Sequence, residues 1–317
     1  MKILITGGSG FLGKNLIKDF SMKNYEIVSS VRKDKYKDSK KITFVNLGDI
    51  NNKTDWGILL RNCEVVIHTS GLSHDSGSNP EESRKIFTKT NIEATSNLFQ
   101  QAIRFGVKKF IFLSSAKVFG ENTNNDLRFN ELDPANPQDI YSWSKHVAEN
   151  EILSYGKNKQ IDIFIIRAPI IYGPGVKNNF SDLIHYVRNF IIFPCFTRKN
   201  KRSYLALDNL IDFINICVER QTHAKKLQEI FAVSDIESLS TCEVIKKIQN
   251  AYKVKNALIY IPDFMISYFA KIFFAKKIRN RIFGNFQIDI DKAARVLGWK
   301  PKYTMLDQLK KMVDFDD

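Results

Sequence analysis

The feature that most constrains this chain is a glycine-spaced turn, Thr6-Gly7-Gly8-Ser9-Gly10-Phe11-Leu12-Gly13, joining an apolar β-branched run at residues 2–6 to a segment of helical periodicity at 11–20. A strand, a turn of that composition and a helix, in that order, open a βαβ unit. The alternation continues, with strand-like runs at 26–31, 43–45, 65–68, 109–114 and 162–167. Between them, segments at 86–105 and 141–155 repeat apolar residues every three or four positions. The strand runs are almost unbroken Ile, Val and Phe, as strands covered on both faces require. The predicted fold is therefore α/β, a doubly wound parallel sheet of Rossmann type. Near residue 170 the alternation breaks, with Pro169, Pro174 and Pro194 punctuating loops ahead of a helix at 207–219. The expected organisation is a dinucleotide-binding domain over 1–170 and a smaller α/β C-terminal subdomain, mainly for substrate, over 171–317.

With 44% hydrophobic residues, the 317-residue chain can bury a sizeable core. Its net charge of +14 invites nucleic acid, an anionic membrane surface or a multiply charged small anion. The cations are spread along the chain without an Arg/aromatic platform or a recognition-helix motif, so no nucleic-acid partner is expected. The longest apolar stretch near the C-terminus, 264–270, is cut by Asp263 and Lys271 and is far below the roughly 20 residues of a spanning helix. Nothing after Met1 reads as a secretory leader. Cys63, Cys195, Cys217 and Cys242 lie far apart with no C-x-x-C pair, which argues against a zinc ribbon or a disulfide framework. The expected location is the reducing cytoplasm. His68, His74, His146, His185 and His223 lack metal-ligand spacing, so no metal site is expected; His68 reads as strand-terminal packing.

Two patterns carry chemistry. Gly7, Gly10 and Gly13 permit a tight turn, close approach of backbone to a pyrophosphate and close helix–strand packing, while the helix start at Phe11 and Leu12 faces the phosphates. In Tyr141-Ser142-Trp143-Ser144-Lys145, a Tyr and a Lys four apart share a helix face. A free phenol has a pKa near 10, and a nearby ammonium would lower it towards a working acid/base for a hydroxyl or carbonyl. In isolation such a pair reads as surface residues. Here the strand Phe110-Ile111-Phe112-Leu113-Ser114-Ser115 ends in hydroxyls at its C-terminal edge, where open parallel sheets place their ligands.

Together with Gly48-Asp49-Ile50, His68-Thr69-Ser70-Gly71, Asn91-Ile92-Glu93-Ala94-Thr95, Ser114-Ser115-Ala116-Lys117-Val118-Phe119-Gly120, Arg167-Ala168-Pro169-Ile170-Ile171-Tyr172-Gly173-Pro174-Gly175 and Arg202-Ser203-Tyr204-Leu205, these motifs resemble the extended short-chain dehydrogenase/reductases, the NAD-dependent epimerase/dehydratase family that acts on nucleotide sugars. The resemblance covers nearly the whole chain. It implies Ser115, Tyr141 and Lys145 as the catalytic set: Ser115 orients the sugar's C4 oxygen, Tyr141 is the acid/base, and Lys145 lowers its pKa and holds the nicotinamide ribose. It places Asp49 and Ile50 beside the adenine, Ser70 and Gly71 along the cofactor channel, and Asn91 in a structural role. Asn179 and Arg202 match positions that grip the substrate's diphosphate, with a second arginine expected at Arg279 or Arg281. The family's members imply a UDP-sugar substrate and a homodimer.

The family's 4,6-dehydratases carry an acidic pair after the catalytic hydroxyl, and this chain has Ala116 and Lys117 there, so a dehydratase is not expected. Lys117 reads equally as a sugar contact or as a solvated cation. A 4-epimerase with retained NAD and a 4-ketoreductase using NADPH remain. The second strand ends Val31-Arg32-Lys33, with no acid for the ribose hydroxyls and Arg32 ready for a 2′-phosphate, which favours NADP over NAD. The wording around Ser115 and Gly173 is similar to bacterial enzymes that reduce UDP-4-keto-6-deoxy-N-acetylhexosamines to quinovosamine-type sugars for surface polysaccharides, so the expected activity is that reduction with NADPH, with the 4-epimerase as the alternative. A non-catalytic cofactor-binding regulator is the rival, weakened by the intact Ser, Tyr and Lys. The basic tail 271–281 reads first as a solvated subdomain helix and second as a peripheral membrane contact beside a glycosyl-phosphate transferase.

Overall fold

In the computed structural model, residues 1–33, 36–73, 77, 79–124, 127–177, 179–190, 192–195, 200–260 and 284–316 are described. The run 2–6 forms β1 (Lys2–Thr6), and the glycine turn delivers it into α1 (Phe11–Ser21), whose Leu12, Leu16, Ile17 and Phe20 are buried. β2 (Glu26–Val31) and β3 (Ile42–Asn46) follow, and a single helical turn, α2 (Gly57–Leu60), leads into β4 (Val65–His68). α3 (Pro80–Phe87) continues through a wide π turn over Thr88–Glu93 into α4 (Ala94–Arg104), and β5 (Lys109–Ser115), α5 (Ile140–Gly156) and β6 (Asp162–Ala168) complete the alternation.

With β10 (Gln228–Ala232), these strands make a seven-stranded sheet in the order β10-β6-β5-β4-β1-β2-β3. The run from β5 to β3 pairs in parallel. Strand order reverses at β1/β4, the switch point where doubly wound sheets bind ligands. A core of Leu4, Val66, Phe99, Phe110, Phe112, Ile152 and Ile163 joins the sheet to its helices.

The chain forms two compact units, and segments alternate between them. The first comprises 1–118, 134–167 and 213–231, and the second 119–133, 168–212 and 232–317. In the second, β7 (Ile170–Tyr172) and β9 (Arg202–Ala206) pair in parallel, and β9 pairs antiparallel with β11 (Ser238–Leu239). A separate parallel pair joins β8 (Ile192–Cys195) and β12 (Ala257–Tyr260). α6 (Asn179–Asn189), α8 (Thr241–Ala251) and α10 (Met305–Asp316) contribute Ile184, Ile245 and Leu309 to a core with Tyr172 and Tyr204; α9 (Asp291–Leu297) precedes α10. α7 (Leu207–Glu219) carries the chain back towards β10.

Two expectations need correction. The helix foreseen over 86–105 begins earlier, at Pro80 behind an Asn79 cap, and is widened at Thr88–Glu93. That widening turns Asn91 inward, where its amide donates to Leu72 O and Ser144 Oγ, each at 3.0 Å, and its carbonyl accepts Leu72 N–H at 2.8 Å. The second correction is that Cys242 is disulfide-bonded, while Cys63 and Cys217 are buried free thiols. Spacing along a sequence does not report which cysteines a fold brings together. Among the described residues no helix is long and apolar enough to cross a membrane. The tail 271–281, with Arg279 and Arg281, lies outside the described residues, as do His74 and the Cys195 side chain.

Candidate active site

The glycine turn is tight because side chains have no room in it. Gly7 has φ +71°, and a Cβ at Gly13 would stand 2.2 Å from Gly7 O. Gly10 is the N-cap of α1 and makes no side-chain cap, and the first turn of α1 carries no acid. The N–H groups of Phe11, Leu12 and Gly13 thus open the helix with its positive dipole end uncompensated, which fits a pyrophosphate. Beyond β4, a Cβ on Gly71 would lie 3.1 Å from Asn91 Oδ1 and 3.3 Å from Lys145 Nζ. Ser70 and Gly71 therefore run between the glycine turn and the lysine. At the end of β2, Val31 is buried, and Arg32 and Lys33 are exposed. Asp49 is exposed after β3, with Ile50 packed on the core.

The Tyr/Lys helix α5 is started by a capping box in which Asp139 accepts Ser142 N–H at 2.8 Å and Ser142 Oγ accepts Asp139 N–H at 3.2 Å. That cap fixes where the helix begins, and so where Tyr141 stands. Ser115 stands at the last position of β5, where its hydroxyl is close enough to the Tyr141 phenol to lower that group's proton affinity. Lys145 is buried; its ammonium donates to Leu113 O at 3.0 Å and lies 4.6 Å from the Phe112 ring centre. Ser115, Tyr141 and Lys145 thus meet at the carboxyl end of β5.

Burial decides the proton affinities here. It pushes the Tyr141 phenol up to about 12, against the Ser115 hydroxyl and reinforced by the Asp139 charge. It pulls Lys145 down to about 8, against the charge of Glu149. The Lys145 ammonium is directed to the Leu113 carbonyl, while the shift of the Tyr141 phenol is set by burial, the Ser115 hydroxyl and the Asp139 charge. Lys117 is exposed and pairs with Asp139 at 3.2 Å, while Ala116 before it is buried.

Sequence reasoning passed over Glu149, four residues beyond Lys145 and fully buried. It accepts two bonds from Arg167 Nε, at 3.1 and 3.2 Å, one from Nη2 at 2.7 Å, and one from Ser114 Oγ. Burial opposes its ionisation, but His146, Arg167 and Ser114 together hold its pKa below the ordinary value. The i,i+4 spacing from Lys145 was the signal available.

In the second unit, Asn179 is exposed at the start of α6. Arg202, half-buried on β9, donates to Gly284 O at 3.0 Å and lies 5.4 Å from the Phe286 ring. Among the described residues no three His, Cys, Asp or Glu side chains group as metal ligands.

The family model described as "NAD dependent epimerase/dehydratase family" matches residues 3–232. A UDP-glucose 4-epimerase of Vibrio cholerae is 36% identical over 311 residues, 98% of this chain and 93% of the relative. The solved UDP-glucose 4-epimerase of Thermotoga maritima with UDP-glucose superposes with a TM-score of 0.79 at 20% identity, over 100% of this chain and 98% of that one. The UDP-glucuronic acid 4-epimerase of Bacillus cereus with NAD gives 0.78 at 20%, over 99% and 96%. Both structural likenesses establish the fold.

Proposed function

The chain belongs to the NAD dependent epimerase/dehydratase family, and from that premise we propose that it is an oxidoreductase acting at C4 of a UDP-sugar, working as a 4-epimerase. The observation that carries this reading is the meeting of Ser115, Tyr141 and Lys145 beside a buried Ala116 and a Lys117 engaged by Asp139. Chemistry at C4 needs one group to hold and return the hydroxyl proton. A 4,6-elimination needs a further acid and base after Ser115, and this chain carries neither there. The 36% identity to a UDP-glucose 4-epimerase over nearly the full length of both chains supports epimerisation.

The residues proposed to hold a nicotinamide dinucleotide are Gly7, Gly10, Phe11, Leu12 and Gly13 at the pyrophosphate, Asp49 and Ile50 at the adenine, and Ser70, Gly71 and Lys145 towards the nicotinamide. Its nicotinamide, when bound, exchanges a hydride with the sugar's C4. Tyr141 Oη holds the C4 hydroxyl's proton, Ser115 Oγ orients that oxygen, and Asn179 and Arg202 take the diphosphate, for which a guanidinium fork is suited.

A second reading, NADPH-dependent reduction of a UDP-4-keto-6-deoxy-N-acetylhexosamine for surface polysaccharide synthesis, is favoured by one observation. Arg32 and Lys33 stand exposed past a β2 that ends without an acid. The test supplies purified protein with UDP-glucose or UDP-N-acetylglucosamine and no added cofactor, then with a 4-keto-6-deoxy UDP-sugar and NADPH. Interconversion of gluco and galacto sugars in the first experiment is the expected result. NADPH consumption in the second with none in the first would replace the epimerase by the reductase. The homodimer foreseen for the family stays part of this proposal, and light scattering of the purified chain checks it.

A further inference from the structure

His68 closes β4 directly opposite Thr6, the last residue of β1, and both are fully buried. Thr6 Oγ1 accepts the N–H groups of Thr69 and Ser70, each at 3.2 Å, and stands 2.7 Å from His68 Nδ1. Across the ring, Nε2 lies 2.8 Å from Thr95 Oγ1 on α4, and the imidazole stacks on Phe112 with 5.7 Å between ring centres. A hydroxyl oxygen has two lone pairs and one proton. Two main-chain N–H groups take the lone pairs of Thr6, so its proton goes to Nδ1, which must be bare. The neutral ring then carries its hydrogen on Nε2 and donates it to Thr95.

We infer that His68, as the neutral Nε2–H tautomer, is a positioning residue that orients the Thr6 hydroxyl and through it fixes the Ser70-Gly71 segment beside the glycine turn. The inference rests on the reading of that segment as part of the dinucleotide site. The segment has little slack: a Cβ on Gly7 would meet Ser70 Oγ at 3.0 Å, and one on Gly71 would meet Lys145 Nζ at 3.3 Å. An imidazolium would turn a second N–H onto a hydroxyl whose lone pairs are taken. Burial, assisted by the Lys145 charge, prevents this by holding the His68 pKa down at about 3.

The test combines imidazole nitrogen NMR on the wild-type protein at neutral pH with NAD+ and NADPH binding by calorimetry. Thr6→Val, Thr6→Ser, His68→Phe and His68→Asn are compared, each with a thermal melt. The expected spectrum has a bare Nδ1 and a protonated Nε2. Thr6→Val and His68→Phe should bind dinucleotide about ten-fold more weakly, since each leaves buried polar groups unpaired. Thr6→Ser, and His68→Asn with its carbonyl in place of Nδ1, should stay near wild type. A proton on Nδ1 would overturn the inference, as would folded Thr6→Val and His68→Phe variants that bind like wild type. If wild type binds neither dinucleotide, the cofactor reading fails and the positioning role falls with it, an outcome distinct from equal binding by all proteins.

Discussion

Burial moves Tyr141 and Lys145 from their ordinary values in opposite directions, the phenol up to about 12 and the ammonium down to about 8, and both shifts favour the uncharged form. Tyr141 is therefore a proton holder at neutral pH. Tyr141→Phe should lose roughly 10²–10⁴-fold in kcat while UDP-sugar affinity stays near wild type, measured by steady-state kinetics and calorimetry. His68 gives a stability prediction whose sign follows from its depressed pKa. Between its ordinary value of 6.5 and about 3, the unfolded chain binds the extra proton, so stability falls as pH drops below 6.5. The slope from this one group approaches about 1.4 kcal/mol per pH unit. His68→Asn should flatten the urea-midpoint profile just below pH 6.5; an unchanged slope there would mean His68 is already charged in the native state.

Helix α5 shows how one element couples folding to chemistry. Asp139 caps the helix and, as a charge, raises the phenol two residues on. Its own pKa is lowered: burial opposes ionisation, but Ser142 N–H, the Lys117 charge and the Ser142 hydroxyl outweigh it. The two roles separate by substitution. Asp139→Ala should cost about 1 kcal/mol of stability through the lost cap, whereas Asp139→Asn retains the cap. Both should move the alkaline limb of the kcat profile to lower pH, because the negative charge beside Tyr141 is gone. Denaturant melts and pH–rate profiles check the pair, and identical stabilities of the two variants would refute the capping role. The extent of α5 was legible because its apolar spacing runs unbroken from 141 to 155. The wide turn over Thr88–Glu93 was not, since periodicity cannot register one extra residue drawn inward by the partners of Asn91.

At the scale of the molecule, each unit is proposed to carry one binding task, and single substitutions should separate them. Arg202→Ala in the second unit should weaken UDP-sugar binding by about 1.5–3 kcal/mol and leave dinucleotide affinity unchanged in calorimetry. Arg32→Ala in the first should leave UDP-sugar binding alone and erase most of any NADPH-over-NADH preference, which a charged hydrogen bond sets at about ten- to a hundred-fold. The sequence by itself determined the doubly wound sheet, because continuous β-branched runs, helical periodicity and the steric demands of Gly7 and Gly13 are local properties written at fixed spacings. It also placed Tyr141 and Lys145 four residues apart on one helix, which needs only the local periodicity. Only the tertiary structure decided that 213–231 rejoins the first unit, that Cys242 is disulfide-bonded, that Glu149 lies locked beneath the site by Arg167 and Ser114, and that burial outweighs the opposing interactions at Tyr141 and Lys145. Each of these depends on which groups distant segments bring together and how much water they exclude, and neither quantity exists until the chain has closed on itself.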